Sequence, residues 1–578
     1  MNMKIQLHRR PKADDSHLPA HLSPVLRRLY AMRGVLSENE LKTGAKGLLN
    51  YQSLNGIETA VQLLITALNE HLRIIVVGDF DADGATSTAL TLRALGAMGY
   101  RHFDYLVPNR FEDGYGLSPQ VVDQVIKRKA QLIITVDNGI SSYEGVAVAQ
   151  QHGIKVIITD HHLPGETLPC AEAIINPNLA DCHFPTKALA GVGVSFYLMS
   201  ALRAALRQTG WFEQQARKMP NLAELLDLVA LGTVADVVPL DSNNRMLVYQ
   251  GLNRIRAGRS CVGIKALIEV SKRDVSRLVA NDLGFSIGPR LNAAGRLDDM
   301  SIGVELLLTD DIVHARKLAN ELDNLNRTRR EIEQDMQQEA WQIFEQIEEK
   351  RHQIPNGLAL YHPEWHQGVV GILASRIKER FHRPVIAFAS AGEGILKGSG
   401  RSIYGLHLRD ALERLDTLNP GLILKFGGHA MAAGLTLEEQ KFTQFQENFA
   451  NLMAELLDND MLEGVIWSDG ELNNEELSLD IAELIRNGGP WGQAFPEPIF
   501  DGKFRLLQQR LVGDCHLKVM LEPLAGGPMI DGIAFNIDTA YWPDNSIKMV
   551  ELAYKLDVNE YRGNRNIQLL IQHLWPCE

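Results

Sequence analysis

Leu72-Arg73-Ile74-Ile75-Val76-Val77-Gly78-Asp79-Phe80-Asp81-Ala82-Asp83-Gly84 decides the fold class. Four consecutive β-favouring apolar residues read as a strand buried on both faces. The acidic string that ends in glycine reads as a tight turn, and the small-residue run from Ala85 as a helix. LIITV at 132–136, ending in Asp137, and VIIT at 156–159, ending in Asp160, repeat the arrangement. Apolar strands alternating with helices predict an α/β protein whose parallel sheet is covered on both faces. Ligands of such sheets bind beyond the carboxyl ends of the strands. Asp79, Asp81, Asp83, Asp137 and Asp160 all fall at those ends.

The string Asp79 to Gly84 also fits the first half of a calcium loop, D-x-D-x-D-G. Such a loop needs a bidentate glutamate at its twelfth position, and that position is Leu90. The preceding segment is moreover a strand rather than a helix, so the calcium loop is rejected. Each aspartate taken singly is an ordinary helix cap. Together, three carboxylates in five positions repel one another unless a cation or an arginine neutralises them. His161 and His162 follow Asp160 directly, and Asp236 lies in GTVADVVPL after an apolar helical run. Carboxylates mixed with one or two imidazoles suit Mn²⁺ or Mg²⁺.

Working outward, the chain divides by composition. Residues 1–60 form a helical N-terminal segment, and 61–303 hold the parallel-sheet domain. Residues 304–354 contain no Gly or Pro and are rich in charged helix formers. A single connecting helix is expected there, with a two-helix hairpin as the alternative; 40 residues of helix would span roughly 60 Å. A second α/β domain occupies 355–464, with Gly-rich turns at GSGRS and FGGHAMAAG. From 465 to 578 strands dominate and predict a small antiparallel barrel.

At 578 residues with net charge −13, the composition is that of a multidomain globular protein. The acidic balance does not exclude a nucleic-acid partner, because local field decides binding and a metal cleft inflates the acidic count. Five scattered cysteines without a C-x-x-C pair argue against a zinc ribbon or a disulfide framework. The polar start MNMKIQLHRRPKADD and the lack of a long apolar run lead us to expect a soluble, cytoplasmic protein. There is no G-x-S-x-G nucleophile elbow and no G-x-x-x-x-G-K-[ST] phosphate loop, which argues against a serine hydrolase and an ATP-driven motor.

DFDADG, VDNG, TDHH and GTVADVVPL stand in the order and spacing of the four motifs of the DHH phosphoesterases. RLNAAGR at 290–296, HQGVVGI, GSGRS and GGHAMAAG resemble the companion DHHA1 portion as found in RecJ-type single-strand exonucleases. PNRFEDGYGLS and LDVNEYRGNRNIQLLI are similar to the same group, so the resemblance spans nearly the whole chain. It implies a DHH catalytic domain, a connecting helix, a DHHA1 domain and an oligonucleotide-binding-type (OB) barrel.

By position it also implies one metal on Asp83, Asp137, His161 and Asp236, and a second on Asp81 and Asp137. Val77 stands where the small pyrophosphatases of the superfamily carry a histidine. The second site is therefore weaker, filled only with substrate, or completed by Asp79. Asp160 would orient the histidines, and His162 would contact the scissile phosphate or protonate the leaving group. Ser399, Arg401, Gly427, Gly428 and His429 fit anion capture, though each glycine string alone reads as a tight turn. Arg110, Arg290 and Arg296 join them as phosphate contacts by resemblance. Tyr554 and Tyr561 with Arg562 and Arg565 either stack on bases or belong to core and rim.

The implied function is 5′→3′ hydrolysis of single-stranded DNA to mononucleotides with Mn²⁺ or Mg²⁺, in recombination and repair. Single-strand-binding protein and a helicase are the implied partners, and a monomer the expected state. The alternatives are a DHH phosphodiesterase acting on cyclic dinucleotides or very short oligonucleotides, and a non-catalytic scaffold. The barrel and the long helix argue against the first, and the complete acidic and histidine set against the second.

Overall fold

Ile74–Gly78 (β1), Leu132–Val136 (β3) and Lys155–Thr159 (β4) form strands in which nearly every residue is buried. That burial is the reason the sequence shows continuous apolar runs rather than alternation. With Phe103–Leu106 (β2) and Ala173–Ile175 (β5) they make one parallel sheet in the order β2-β1-β3-β4-β5. The strand order reverses between β1 and β3. A crevice opens at such a switch point, beyond the carboxyl ends of the strands. Asp79 follows β1 and Asp137 follows β3.

In this computed structural model the described residues are 5–110, 112–351, 354–458, 460–539, 541–561 and 563–577, with side chains described outside 345–351 and 561. The chain divides into two units. One holds residues 9–326 and 468–578, the other residues 327–467 with those up to His8. No helix among the described residues is long and apolar enough to cross a membrane.

In the first unit, helix Ala82–Ala97 (α1) starts three residues earlier than the sequence suggests. Asp81, in extended conformation, caps it by accepting from the Gly84 amide at 3.0 Å. Helices Gly191–Gln208 (α2), Leu226–Ala235 (α3) and Gly288–Leu297 (α4) surround the sheet's active edge. The long helix runs over Ile312–Arg351 (α5), as one helix rather than a hairpin. It does not begin at 304. Ser301–Leu308 is a separate helix whose terminal carbonyls at Leu307 and Leu308 accept from the Arg93 guanidinium. Asp311 then opens α5 by accepting from the Val313 amide.

The second unit is built on a mixed sheet of Leu358–Tyr361 (β6), Val385–Ser390 (β7), Ile395–Arg401 (β8), Lys425–Gly428 (β9) and Ala432–Glu438 (β10), ordered β9-β10-β8-β7-β6. Helix Val370–Phe381 (α6) packs on it. Here the turn expected at GSGRS is corrected. Residues 398–401 lie in the interior of β8, paired on both sides. The glycine is needed because a Cβ on Gly398 would sit 2.5 Å from the Phe388 ring. The N-terminal segment is likewise not wholly helical, since Ile5–Arg9 is a strand paired with Gly464–Ser468.

The C-terminal strands Phe500–Val512 (β11), His516–Pro523 (β12), Ile530–Ala534 (β13), Met549–Tyr561 (β14) and Asn564–Cys577 (β15) close a barrel in the order β11-β12-β13-β15-β14. One parallel pair, β13 with β15, interrupts the otherwise antiparallel ladder. Tyr554 is 1% exposed and therefore core. Arg565 pairs with Glu483 and Glu560. Arg562 and the Tyr561 side chain lie outside the described residues. The barrel shares one continuous apolar core with the parallel-sheet domain. Arg33 and Asp469, both 1% exposed, are joined by two hydrogen bonds.

Candidate metal centre and anion-binding face

Five carboxylates and two imidazoles converge at the switch point. His161 Nε2 lies 3.1 Å from an oxygen of Asp137, 3.4 Å from Asp236 and 4.0 Å from Asp83. Asp83, His161 and Asp236 form one group with ligand atoms within 4.8 Å of one another; Asp79, Asp81 and Asp137 form another. A third group, Asp137, His161 and His162, links these two.

The backbone is shaped to bring these side chains together. Asp137 sits at φ 63, a left-handed conformation that costs a non-glycine residue about 1–3 kcal/mol. Its neighbour Asn138 holds the bend by donating to the Val77 and Val136 carbonyls at 3.0 and 2.9 Å. Asp83 accepts from the Gly191 and Val192 amides, at 2.7 and 2.9 Å, where α2 begins. Asn176 donates to the His162 carbonyl and Asn178 to that of His161. Helix α4 closes from the other side, where Asn292 accepts from the Ala82 amide at 2.8 Å. A Cβ on Gly295 would lie 1.7 Å from the Phe80 carbonyl oxygen, so only glycine permits that approach.

Electrostatics separate the two histidines. Burial and the charge of its neighbour push His161 down to about 4, so it is neutral and able to ligate at neutral pH. Burial also acts to lower His162, but its 2.7 Å bond to Asp160 wins and raises it to about 9. Asp160 is opposed by burial too, yet stays below the usual carboxylate range because His162 and the Ile140 and His162 amides all favour its charged form. Burial first, and mutual repulsion second, raise Asp83 to about 7 and push Asp79, Asp137 and Asp236 well above the usual range. Among the described residues, a buried oxygen of Asp137 and Nε2 of His161 both lack a hydrogen-bond partner. Carboxylates held in this way, beside a neutral imidazole, are a donor set suited to a hard divalent cation.

Of the predicted arginines, Arg110 packs its guanidinium 4.1 Å over the Phe80 ring, near the charges of Asp79 and Asp81. Arg290 is buried and bonds to Asp323 and to the Ser286 carbonyl, so the structure gives it a bracing position rather than an open phosphate contact. Arg296 lies half-buried in the last turn of α4.

The other unit carries the remaining candidates. Ser399 and Arg401 project from β8 on the face away from Leu396, toward Gly371 of α6, where a Cβ would come within 2.9 Å of Ser399 Oγ and 3.1 Å of Arg401 Nη2. Arg401 donates to Ser399 Oγ and the Gly400 carbonyl, and burial alone lowers its pKa. Among the described residues it has no carboxylate partner. Across the sheet Ser399 registers with Gly434, and Gly434 with Gly427. The face beside Ser399 is therefore floored by glycine backbone. Gly428 and the exposed His429 close the β9–β10 turn.

Three family models match the chain: the DHH family N-terminal domain over residues 73–233, the DHHA1 domain over 355–455 and the RecJ OB domain over 468–573. The chain is 69% identical, over 100% of both sequences, to a single-stranded-DNA-specific exonuclease RecJ of Dickeya dadantii, and 67% identical over the same share to that of Escherichia coli. This chain belongs to the RecJ family. A crystal structure of RecJ in complex with Mn²⁺ from Thermus thermophilus superposes with a TM-score of 0.81 at 30% identity, covering 100% of this chain and 80% of that one. A structure of RecJ with Mg²⁺ from the same source gives 0.75 at 28%.

In this RecJ-family chain several site residues escape sequence reasoning. Gly191, Val192, Asn176 and Asn178 act through backbone groups or hold other residues in place, and no charged pattern marks them. Tyr115 is half-exposed, its ring edge-on to both Phe80 and His162. Its signal was the pair of glycines around it, Gly114 and Gly116, both at positive φ.

Proposed function

We propose that this chain hydrolyses single-stranded DNA from the 5′ end to mononucleotides, with Mn²⁺ or Mg²⁺. The observation that carries the reading is the two carboxylate-bearing groups linked through Asp137 and His161 at the sheet's switch point, in a chain that belongs to the RecJ family. Asp83, Asp137, His161 and Asp236 would hold one cation, and Asp81 and Asp137, completed by Asp79, a second. Bound there, the cations supply Lewis acidity and lower the pKa of an attacking water.

The chain's own residues do the rest. His162, held protonated by Asp160, has a proton to give to the leaving oxygen at neutral pH. Arg110, placed over Phe80, offers a guanidinium to the phosphate backbone. Ser399, Arg401 and the Gly427–Gly428 amides form an anion site suited to a terminal phosphate, which Arg401 meets without a competing carboxylate. Arg296 is assigned to the backbone as well.

On the same reading the protein is a cytoplasmic monomer of recombination and repair, working with single-strand-binding protein and a helicase. Its working parts are a DHH domain at 61–303, a DHHA1 domain at 355–464 and an OB barrel within 465–578. Side-by-side digestion of an end-labelled 60-mer and a dinucleotide tests it. We expect the 60-mer to shorten from its 5′ end to mononucleotides, and EDTA to stop the reaction. Faster turnover of the dinucleotide, or undiminished activity in EDTA, overturns it.

A further inference from the structure

Phe285 is 75% exposed, although Leu283, Ser286 and Ile287 around it are buried. Leu283–Ile287 is a π-helical turn. Such widenings are rare, recur at functional sites and rotate a side chain out of the helical pattern. Glycines on either side seat this turn on the end of α3. A Cβ on Gly284 would stand 3.2 Å from Val234, and one on Gly288 3.1 Å from Ala235. Those two residues immediately precede Asp236 of the acidic cluster. Val237 follows it, at φ 63 and 59% exposed. A β-branched residue in that conformation is an outlier that persists only where its surroundings enforce it.

The backbone that carries Phe285 is also held in place. Arg290 grips the Ser286 carbonyl while bonded to Asp323, and Arg273 Nε donates to Ser286 Oγ at 3.0 Å and pairs with Asp282. An aromatic ring with few torsions, carried on a braced backbone at the rim of a carboxylate cluster, loses little freedom when something covers it.

We propose that Phe285 is the stacking platform for an unpaired nucleobase of the strand being cut, with Val237 as the apolar flank beside it. The proposal rests on the single-strand reading above and deepens it. A base within a duplex has both faces covered by its neighbours, whereas an unpaired base has a face to offer. Aromatic stacking is tolerant of sequence because every base has such a face. The brace also gives Arg290 its function: it holds the platform.

The test uses the full chain and two readouts. With EDTA present to prevent cutting, a single strand carrying 2-aminopurine near its 5′ end should lose fluorescence on binding the wild type and keep it with Phe285→Ala. With Mn²⁺, Phe285→Ala should raise KM for a single strand about tenfold, more than it lowers kcat. Phe285→Trp should restore both signals, and Phe285→Leu, of similar bulk without a π face, should not. Wild-type behaviour of the Leu variant, or quenching that survives in the Ala variant, overturns the proposal. Quenching without any hydrolysis by the wild type would instead defeat the exonuclease reading and leave the stacking role standing.

Discussion

Nε2 of His161 stands 3.1 Å from Oδ1 of Asp137, both atoms are buried, and neither has a hydrogen-bond partner among the described residues. Around them Asp79, Asp83, Asp137 and Asp236 all have raised pKa values. Carboxylates whose folded pKa lies above the unfolded one hold extra protons in the folded state, so stability falls as pH rises through the folded values. His162, raised to about 9 from 6.5, acts in the same direction: its contribution is complete below 6.5 and lost as pH climbs through 9. His161, lowered to about 4 from 6.5, opposes this trend only weakly, because the unfolded imidazole is already half neutral at pH 6.5 and sheds the rest of its proton just above it. The metal-free protein is therefore expected to melt lower at pH 8.5 than at pH 6.5. Mn²⁺ should displace protons at pH 7, and calorimetry in two buffers of different ionisation enthalpy would read that release. Equal heats in the two buffers would remove the basis for the assignment.

Asp137→Asn separates the electrostatic from the catalytic effect. It removes a charge from a crowded buried cluster, so the metal-free melting temperature should hold or rise. It also removes the ligand proposed to be shared by both cations, which should cost roughly three orders of magnitude in rate, several kcal/mol of transition-state stabilisation. The rise in melting temperature on adding Mn²⁺ should shrink as well. A variant with wild-type turnover would show that Asp137 is not a ligand.

Gly295→Ala tests the contact between α4 and the Asp79–Gly84 loop. The added methyl would meet the Phe80 carbonyl at 1.7 Å, and a backbone atom cannot move aside as a side chain can. Overpacking of this kind costs about 1–3 kcal/mol or more. The variant should melt lower and lose metal-dependent activity together, because Asn292 of α4 also holds the Ala82 amide. Full activity with an unchanged melting curve would mean that the loop and helix are not coupled.

The parallel sheet and its acidic strand ends were legible because each lies in a short contiguous run with its own period. What holds them was not. The amides of Gly191 and Val192 reach Asp83 across 108 positions, and no local pattern encodes that. GSGRS reads as a turn from its glycines alone, since the Phe388 ring that requires Gly398 and the Leu408 side chain that crowds Gly400 lie in other elements. The barrel was recognisable as strands, yet its sequence gave no sign that it shares a core with the catalytic domain. Asp469→Ala measures that union. It leaves Arg33, 1% exposed, without its carboxylate, and breaking a buried pair costs about 3–5 kcal/mol. We expect the whole of that unit to unfold at lower denaturant in one transition. Separate melting of the barrel would mean that the two behave as independent modules.

A 5′ terminal phosphate carries more charge than an internal diester and accepts more hydrogen bonds, so a cation without a carboxylate partner rewards it most. Arg401 is such a cation, bonded only to Ser399 Oγ and the Gly400 carbonyl among the described residues. Its planar fork meets two phosphate oxygens at once, which a lysine ammonium cannot reproduce. Arg401→Ala and Arg401→Lys should therefore both lose activity, by about one to two decades in kcat/KM for 5′-phosphorylated strands, as expected for a charge-assisted contact of roughly 1.5–3 kcal/mol. Gly371→Ala should act in the same sense but more weakly, since its methyl would crowd Ser399 Oγ at 2.9 Å and Arg401 Nη2 at 3.1 Å. The deciding quantity is the ratio of kcat/KM for 5′-phosphate and 5′-hydroxyl ends. If Arg401→Ala slows both ends equally and leaves that ratio intact, Arg401 binds the strand elsewhere and does not read its terminus.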